Sequence, residues 1–562
     1  MHKNNHEIMS AQEEKLRNKL LKVFDILSRE KIFLHTKYLE MTSPTKFRMP
    51  LIAGLALLNA IVGNGAMLLW GGFGYGKTML LKYLGRLLTS APLEDIEASI
   101  LRANPNLIEE KIVGRMDLGK LIKEGDEVII WRRFVKAFWK IIDEINRLNP
   151  AAQDIILSLL GESIVKYFDE VFVARRYVLF ATLNPRDVGV FPLGLPLLDR
   201  FGIAVVVKSP SLDDINEIAL LSDDRVFKRS VPSILSTEEL TSIWAYVEAM
   251  PLESSAQLFV SSLAKELSLC DRTDKETGIF IEFGSKICTG CPFENLDSVC
   301  KYTFTPLSVR AEKDLVKYSK ALAWLMGLKT VPLSVVVTIA PYVIWHRLRF
   351  SDKYLEEFGF DRFRFAKHIV ESVLRNFLKR LPLLQAYEGL KAGRIDPQVV
   401  SRIRRVQDSD LIIKYEIAPV IDMFLEDKYL NLVNELRAGI ETKDRNKIEE
   451  ILSRAKEELN ATQYLALSRV YLRELRKHRY RLLTHFSAWK RNLDKISHVL
   501  SADLSDTLSP PVSVLIDRGF EEAEIIIVNN DDASPVIINL YSLWNDTLSK
   551  LKDILGEACL VS

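Results

Sequence analysis

Ala66-Met67-Leu68-Leu69-Trp70 runs directly into Gly71-Gly72-Phe73-Gly74-Tyr75-Gly76-Lys77-Thr78. Five apolar residues in a row read as a short buried strand. The eight that follow fit GxxxxGK[ST], a loop whose backbone N–H groups close around phosphate oxygens. Glycines are needed there because a side chain would block that approach. Lys77 is placed to reach the β- and γ-phosphates, and the Thr78 hydroxyl is a natural Mg²⁺ ligand. From Met79 to Leu88 the apolar residues fall at helical spacing, so the loop meets a helix N-terminus that favours anions. Gly71, Gly72, Phe73, Gly74, Tyr75, Gly76, Lys77, Thr78 and Met79 are therefore the candidate nucleotide-binding set.

Working outward, Lys140-Ile141-Ile142-Asp143-Glu144 is a second apolar run, ending in two acids. Beside a phosphate loop this pairing has a chemical logic. Asp143 would hold Mg²⁺, directly or through water, and Glu144 would orient and polarise an attacking water. Tyr177–Thr182 and Ile203–Val207 supply two more candidate strands, and helices are expected between them. The pattern over 50–210 is an α/β domain, a parallel sheet with crossover helices. Lys123–Trp131 reads as a turn feeding a strand, a hairpin insertion between loop and second acid.

These residues resemble a known family. Asp143-Glu144-Ile145-Asn146-Arg147 looks like the Walker B signature of the MoxR branch of AAA+ ATPases. Phe180-Ala181-Thr182-Leu183-Asn184-Pro185 resembles its sensor 1 strand, which implies Asn184 near the γ-phosphate. Leu198-Asp199-Arg200-Phe201 resembles the segment bearing the arginine finger, and Pro306-Leu307-Ser308-Val309-Arg310-Ala311 the lid motif bearing sensor 2. The resemblance thus implies catalytic roles for Arg200 and Arg310 beside Glu144 and Asn184. It covers about 45–350 and places the Lys123–Trp131 hairpin where this family inserts into its second helix. The chain departs from the family at Phe73 and Val309, where proline is common, and at Gly194-Leu195, where an acid is common. Neither change at the loop nor that at 194–195 removes a catalytic group. The resemblance further implies ATP and Mg²⁺, a homo-oligomeric ring, most simply a hexamer, and remodelling or assembly of a client protein. A separate von Willebrand A-type protein is the partner that such a chaperone-like ATPase recruits.

The remaining chain sets the domain plan. Residues 1–49 read as one or two helices closed by Pro44 and Pro50. Residues 211–350 read as a helical lid, with helix starts at Ser211 and Ser236. Within it, 268–304 carries Cys270, Cys288, Cys291 and Cys300, while Cys559 stands apart. Four thiolates around a CxxC core suit tetrahedral Zn²⁺ or a 4Fe–4S cluster, and disulfides are the third option. Residues 351–505 read as helical, and 506–562 as a small α+β tail with strands at Val512–Ile516, Ala523–Val528 and Val536–Leu540 and a last helix from Trp544. Arg469, Arg473, Arg476, Lys477, Arg479 and Arg481 crowd a long amphipathic pattern over Thr462–Val499. A nucleic-acid motor or scaffold, using that helix and the cysteine segment, is the rival to the remodelling ATPase. The bland reading of those basic residues is a solvated face on a packing helix. A nucleotide switch without turnover is a third reading, against which an intact Glu144 argues.

The totals fit this plan. A chain of 562 residues needs about three domains. Its formal net charge of +2 gives no global pull towards nucleic acid or membrane. Only seven glutamines occur, a bias expected of a thermophile's protein. Met1–Glu30 is charged and amphipathic, unlike a signal peptide, and a cytoplasmic protein is expected. Leu51–Gly72 carries no charge and is long enough to be mistaken for a membrane span. Its glycines and asparagines instead predict a buried helix, a Gly-Asn-Gly turn and a central strand.

Overall fold

The computed structural model describes residues 2–30, 33, 37–185, 190–220, 231–267, 299, 302–391, 423–424, 426–442, 445–460, 463–464, 466–468, 470–471, 512–517, 524–529 and 535–539. The chain divides into two compact units, Met1–Lys379 and Arg380–Ser562.

The first unit begins with the helix His2–Arg29, followed by an antiparallel hairpin of β1 (Tyr38–Met41) and β2 (Phe47–Pro50). The hairpin corrects the all-helical expectation for this segment. Its strands are four residues each, and Tyr38–Met41 alternates exposed and buried. Pro44 therefore belongs to the hairpin turn rather than to a helix stop.

Leu51–Ala60 is a helix buried at nine of its ten positions, and β3 (Ala66–Gly71) is buried at every position but Trp70. The uncharged run is thus a helix, a turn and a central strand, as its glycines and asparagines indicated. Among the described residues no helix is long and apolar enough to cross a membrane. Downstream come β4 (Ile100–Arg102), β5 (Gly114–Met116), β6 (Ile129–Trp131), β7 (Trp139–Asp143), β8 (Ile164–Tyr167), β9 (Glu170–Val173), β10 (Val178–Leu183) and β11 (Ile203–Val207). Five of these strands form one sheet in the order β11-β3-β10-β7-β4, and all its pairings are parallel. Burial on both faces explains why β3, β7, β10 and β11 are nearly unbroken apolar runs.

Two antiparallel hairpins hang off this sheet. β5 pairs with β6 around the helix Leu118–Glu124, so the hairpin opens at Gly114, upstream of the expected Lys123. β8 pairs with β9, and Trp131 meets Phe172 with ring centroids 5.4 Å apart. After β11 the unit is helical, with Leu212–Ala219, Thr237–Ala249, Ser254–Glu266, Val309–Leu325 and Leu333–Ile344 in the segment expected as the lid. Ser211 and Ser236 open their helices with capping boxes, reciprocal side-chain to backbone bonds with Asp214 and Glu239.

In the second unit, the helices Asp427–Thr442 and Arg445–Glu458 pack together, with Ile448 and Ile451 beside Gly439 and Arg454 paired with Glu435. A three-stranded antiparallel sheet holds β12 (Val512–Asp517), β13 (Glu524–Asn529) and β14 (Pro535–Asn539). Cys270, Cys288, Cys291, Cys300, Cys559, most of Thr462–Val499 and the helix expected from Trp544 lie outside the described residues.

Candidate nucleotide site

The carboxyl ends of the parallel strands bring the loop, Asp143, Glu144 and Asn184 to one rim of the sheet. Gly74 and Gly76 have φ of +78° and +70°, which side chains rarely tolerate. That backbone turns the chain directly into the helix Lys77–Thr89. Lys77 is buried, and its Nζ donates to the carbonyls of Gly71 (2.8 Å) and Gly72 (2.5 Å). Burial lowers its pKa, while Asp143 and Glu144 act in the opposite sense. Phe73, between two glycines of the loop, is 75% exposed.

Asp143 ends β7, and β10 lies between it and β3. Thr78 Oγ1 donates to Asp143 Oδ1 at 2.8 Å, and Thr182 Oγ1 donates to the same oxygen at 2.7 Å. Thr182 Oγ1 also accepts the Glu144 N–H at 2.9 Å. One hydroxyl on the middle strand therefore fixes both acids of the neighbouring strand end. Glu144 itself sits at φ 59° and ψ 49°, a left-handed conformation that costs a non-glycine residue about 1–3 kcal/mol. Its carboxylate pairs with Arg147 at 3.1 Å. Asn184 is buried just past β10, and its carbonyl accepts from Asn146 Nδ2 at 2.8 Å.

Arg200 and Arg310 stand elsewhere. Arg200 precedes β11, and Gly202 N–H donates to the carbonyl of Ala66, at the start of β3 rather than its end. Arg200 is thus on the amino rim, separated from the loop by the length of the strands. Arg310 Nη1 reaches Asp199 Oδ2 at 3.3 Å, which puts the two arginines on the same rim around one carboxylate. Burial lowers the Arg200 pKa first, and nearby Arg310 lowers it further, against Asp199 and Glu162.

Thr182, Arg147 and Asp199 each make such contacts, and sequence reasoning assigned none of them a task. Thr182 had a visible signal, a lone hydroxyl inside an apolar strand. Among the described residues, no group of three or more His, Cys, Asp or Glu side chains converges as a metal site. Thr78 and Asp143 do converge, and both offer the hard oxygen ligands that Mg²⁺ prefers.

Residues 66–201 match the model of the AAA domain, dynein-related subfamily. The chain is 25% identical over 315 residues to Protein MoxR of Paracoccus denitrificans, an alignment spanning 53% of this chain and 84% of that protein. The chain carries an AAA ATPase domain similar to that of MoxR proteins. Other relatives widen the group. The magnesium-chelatase 38 kDa subunit of Rhodobacter capsulatus is 29% identical over 189 residues, covering 28% of this chain and 53% of that one. The magnesium-chelatase subunit ChlI homolog of Methanocaldococcus jannaschii is 30% identical over 114 residues, covering 19% and 30%. The chain therefore spans most of one MoxR protein but only about half of that chelatase subunit. Its AAA domain hydrolyses ATP, with the Mg²⁺ that AAA ATPase sites take, and the Thr78–Asp143 pair fits that ion.

Proposed function

We propose that this ATPase works as a closed ring, most simply a hexamer, that couples hydrolysis to remodelling or assembly of a partner protein. One observation carries the ring: the phosphate loop and Arg200 lie at opposite rims of one sheet. The five residues of β11 alone, at about 3.3 Å each, put roughly 16 Å between those rims. Arg200 is out of reach of its own chain's phosphates and well placed to serve a neighbour's. A finger of this kind neutralises charge that develops on the γ-phosphoryl group in the transition state.

The geometry on each rim supports the following roles. Lys77 holds the β- and γ-phosphates, and Thr78 and Asp143 hold Mg²⁺, which offsets phosphate charge when bound. Thr182 keeps Asp143 and the Glu144 backbone in place. Glu144 orients the attacking water and takes up its proton, once its carboxylate leaves Arg147. Asn184 lines the γ-phosphate side. Arg310 enters the neighbouring site beside Arg200. The four cysteines of 268–304 form a separate Zn²⁺ or 4Fe–4S site. A von Willebrand A-type protein is the partner this reading expects.

Sedimentation of Glu144→Gln with ATP tests the ring. A nucleotide-dependent shift from monomer to a closed assembly is expected, and a monomer under every nucleotide condition would overturn it. ATPase stimulation by a purified partner protein, without stimulation by DNA or RNA, supports remodelling; the reverse pattern favours the nucleic-acid motor.

A further inference from the structure

Four residues flanking Arg200, namely Asp199, Phe201, Gly202 and Ala204, touch the helices that follow β11. Asp199 Oδ1 accepts from Ser308 Oγ at 2.6 Å and faces Arg347 Nε at 3.7 Å, while its Oδ2 meets Arg310. The carbonyl of Phe201 accepts from Arg347 Nη2 at 2.9 Å and from His346 Nε2 at 2.8 Å. Arg347 is itself buried and paired with Asp314 on the helix Val309–Leu325. Beyond Phe201, Gly202 packs so tightly on Tyr318 that a Cβ there would lie 2.5 Å from the ring. Trp345 Nε1 donates to the carbonyl of Ala204 at 2.9 Å. Ser308, Arg310, Asp314, Tyr318, Trp345, His346 and Arg347 all belong to the lid or its end.

Arg200 itself is held differently. Its Nη1 donates to the carbonyl of Pro196 at 2.9 Å, and its buried Nε has no hydrogen-bond partner among the described residues. The backbone carrying the finger is therefore clamped to the lid, while its guanidinium is not. Asp199 also does electrostatic work, because Arg200, Arg310 and Arg347 crowd around it and repel one another.

We propose that Asp199 is a positioning residue through which the lid of one subunit sets the place of Arg200 in its neighbour's phosphate site. Any lid displacement then moves the finger with it, so the lid of one subunit regulates turnover in the next. This rests on the reading of Arg200 as acting in trans. Removing the Asp199 charge lets the three arginines spread, and a misplacement near 1 Å at a reacting centre can cost about 10²-fold in rate.

Asp199→Asn keeps the size of the side chain and loses the charge. We expect kcat to fall about 10- to 100-fold, the scale of a mispositioned group, with KM for ATP within about twofold. Because the variant's own pocket is intact, mixing it with Lys77→Ala subunits should restore turnover. In those mixtures an intact Asp199–Arg200 pair of the Lys77→Ala subunit faces a working pocket. A variant that merely damaged its own fold would gain nothing from that partner. A folded Asp199→Asn with kcat within about twofold of wild type, or a fall that Lys77→Ala does not rescue, would overturn the proposal. Should Asp199→Asn not fold, Ser308→Ala, which removes one bond to Asp199, is judged by the same two criteria, with a fall of about threefold or more expected. Arg200→Ala mixed with Lys77→Ala is the control. If that pair fails to complement while co-assembling, the trans reading falls and the positioning role with it. If it complements and the Asp199 and Ser308 variants behave as wild type, only the positioning role falls.

Discussion

Thr78 Oγ1 donates to Asp143 Oδ1 at 2.8 Å although 65 residues separate them in the chain. The contact exists because β3 and β7 are parallel neighbours of the same strand, β10, and end at the same rim. It joins the two halves of a phosphate and Mg²⁺ site in one hydrogen bond. The chemistry assigned to that rim is open to direct tests.

Lys77→Ala should abolish nucleotide binding, since no other described side chain of the loop carries a positive charge. Glu144→Gln should bind nucleotide normally and turn over about 10²-fold more slowly or worse, the scale of lost base assistance. Steady-state ATPase assays with a nucleotide-binding titration separate the two. Wild-type turnover in Glu144→Gln would remove Glu144 from the role of water-orienting group.

Thr182→Val is the sharper probe of the site's architecture. Valine fills the same space but leaves the Glu144 N–H without its acceptor and Asp143 without one donor. Each buried group left unsatisfied costs about 1–3 kcal/mol. Turnover should fall by about tenfold or more at saturating ATP, with a higher Mg²⁺ requirement. An unchanged Mg²⁺ titration would mean that Thr182 does not set the position of Asp143.

How much of this was legible beforehand depended on the length of the signal. β3, β10 and β11 are largely apolar runs of five or six residues, β7 carries Ile141-Ile142 before its acid, and each stood out. The three-residue β4 did not, nor did the four-residue strands of β1, β2, β8 and β9. Phe168, Val171 and Val173 on the last hairpin are exposed, so they break the usual link between apolarity and burial. Lys140 misleads in the other direction. It is fully buried in the central sheet, donating to the carbonyls of Phe134, Val135 and Ala137, with burial lowering its pKa to about 7. The roles of Thr182 and Asp199 were hidden for a further reason. Their partners are set by strand order and lid packing, which no local pattern encodes.

Gly161→Ala offers a stability readout and an activity readout that should diverge. In a helix, alanine replaces glycine with a gain of about 0.5–1 kcal/mol. A Cβ at Gly161, however, would lie 2.7 Å from Arg200 Nε and 3.1 Å from its Nη2. The guanidinium has to move, so turnover should drop while the thermal midpoint holds or rises. Wild-type kcat in this variant would show that the present Arg200 position is not the one used in hydrolysis.

His346 gives a pH dependence. It is buried, and burial, Arg347 and Arg362 hold its pKa well below the usual histidine range, against the hydrogen bond to Phe201. The unfolded chain binds a proton near pH 6.5 and the folded one does not, so this term stabilises the fold above that pH. As the pH falls below about 6.5 the stability drops, at up to roughly 1.4 kcal/mol per pH unit. His346→Gln can still donate to the Phe201 carbonyl and cannot titrate. Its thermal midpoint should therefore fall less than that of wild type between pH 7.5 and 5, and parallel curves would exclude His346 as the source.

The cysteine segment is tested by metal analysis of anaerobically purified protein. One four-thiolate site requires about one Zn or about four Fe per chain. Cys288→Ser with Cys291→Ser should lower the thermal midpoint and leave nucleotide binding intact, since binding energy at such a site is folding energy. Metal-free protein with four free thiols would eliminate the site, and bridged thiols would select disulfides.

β3 has a consequence for how the chain is made. Ala66 pairs with Leu179 on one side, and Met67 with Ile203 on the other, both more than a hundred residues later in the chain. A ribosome adding roughly 5–20 residues per second leaves this strand without neighbours for about 6–20 s. Over that interval the helix Leu51–Ala60 and the strand after it form the longest uncharged stretch yet emerged from the tunnel. The same run that seats the phosphate loop is thus the part of the nascent protein most in need of a holdase, and a slow codon after Val207 would lengthen nothing that matters, whereas one before Val178 would.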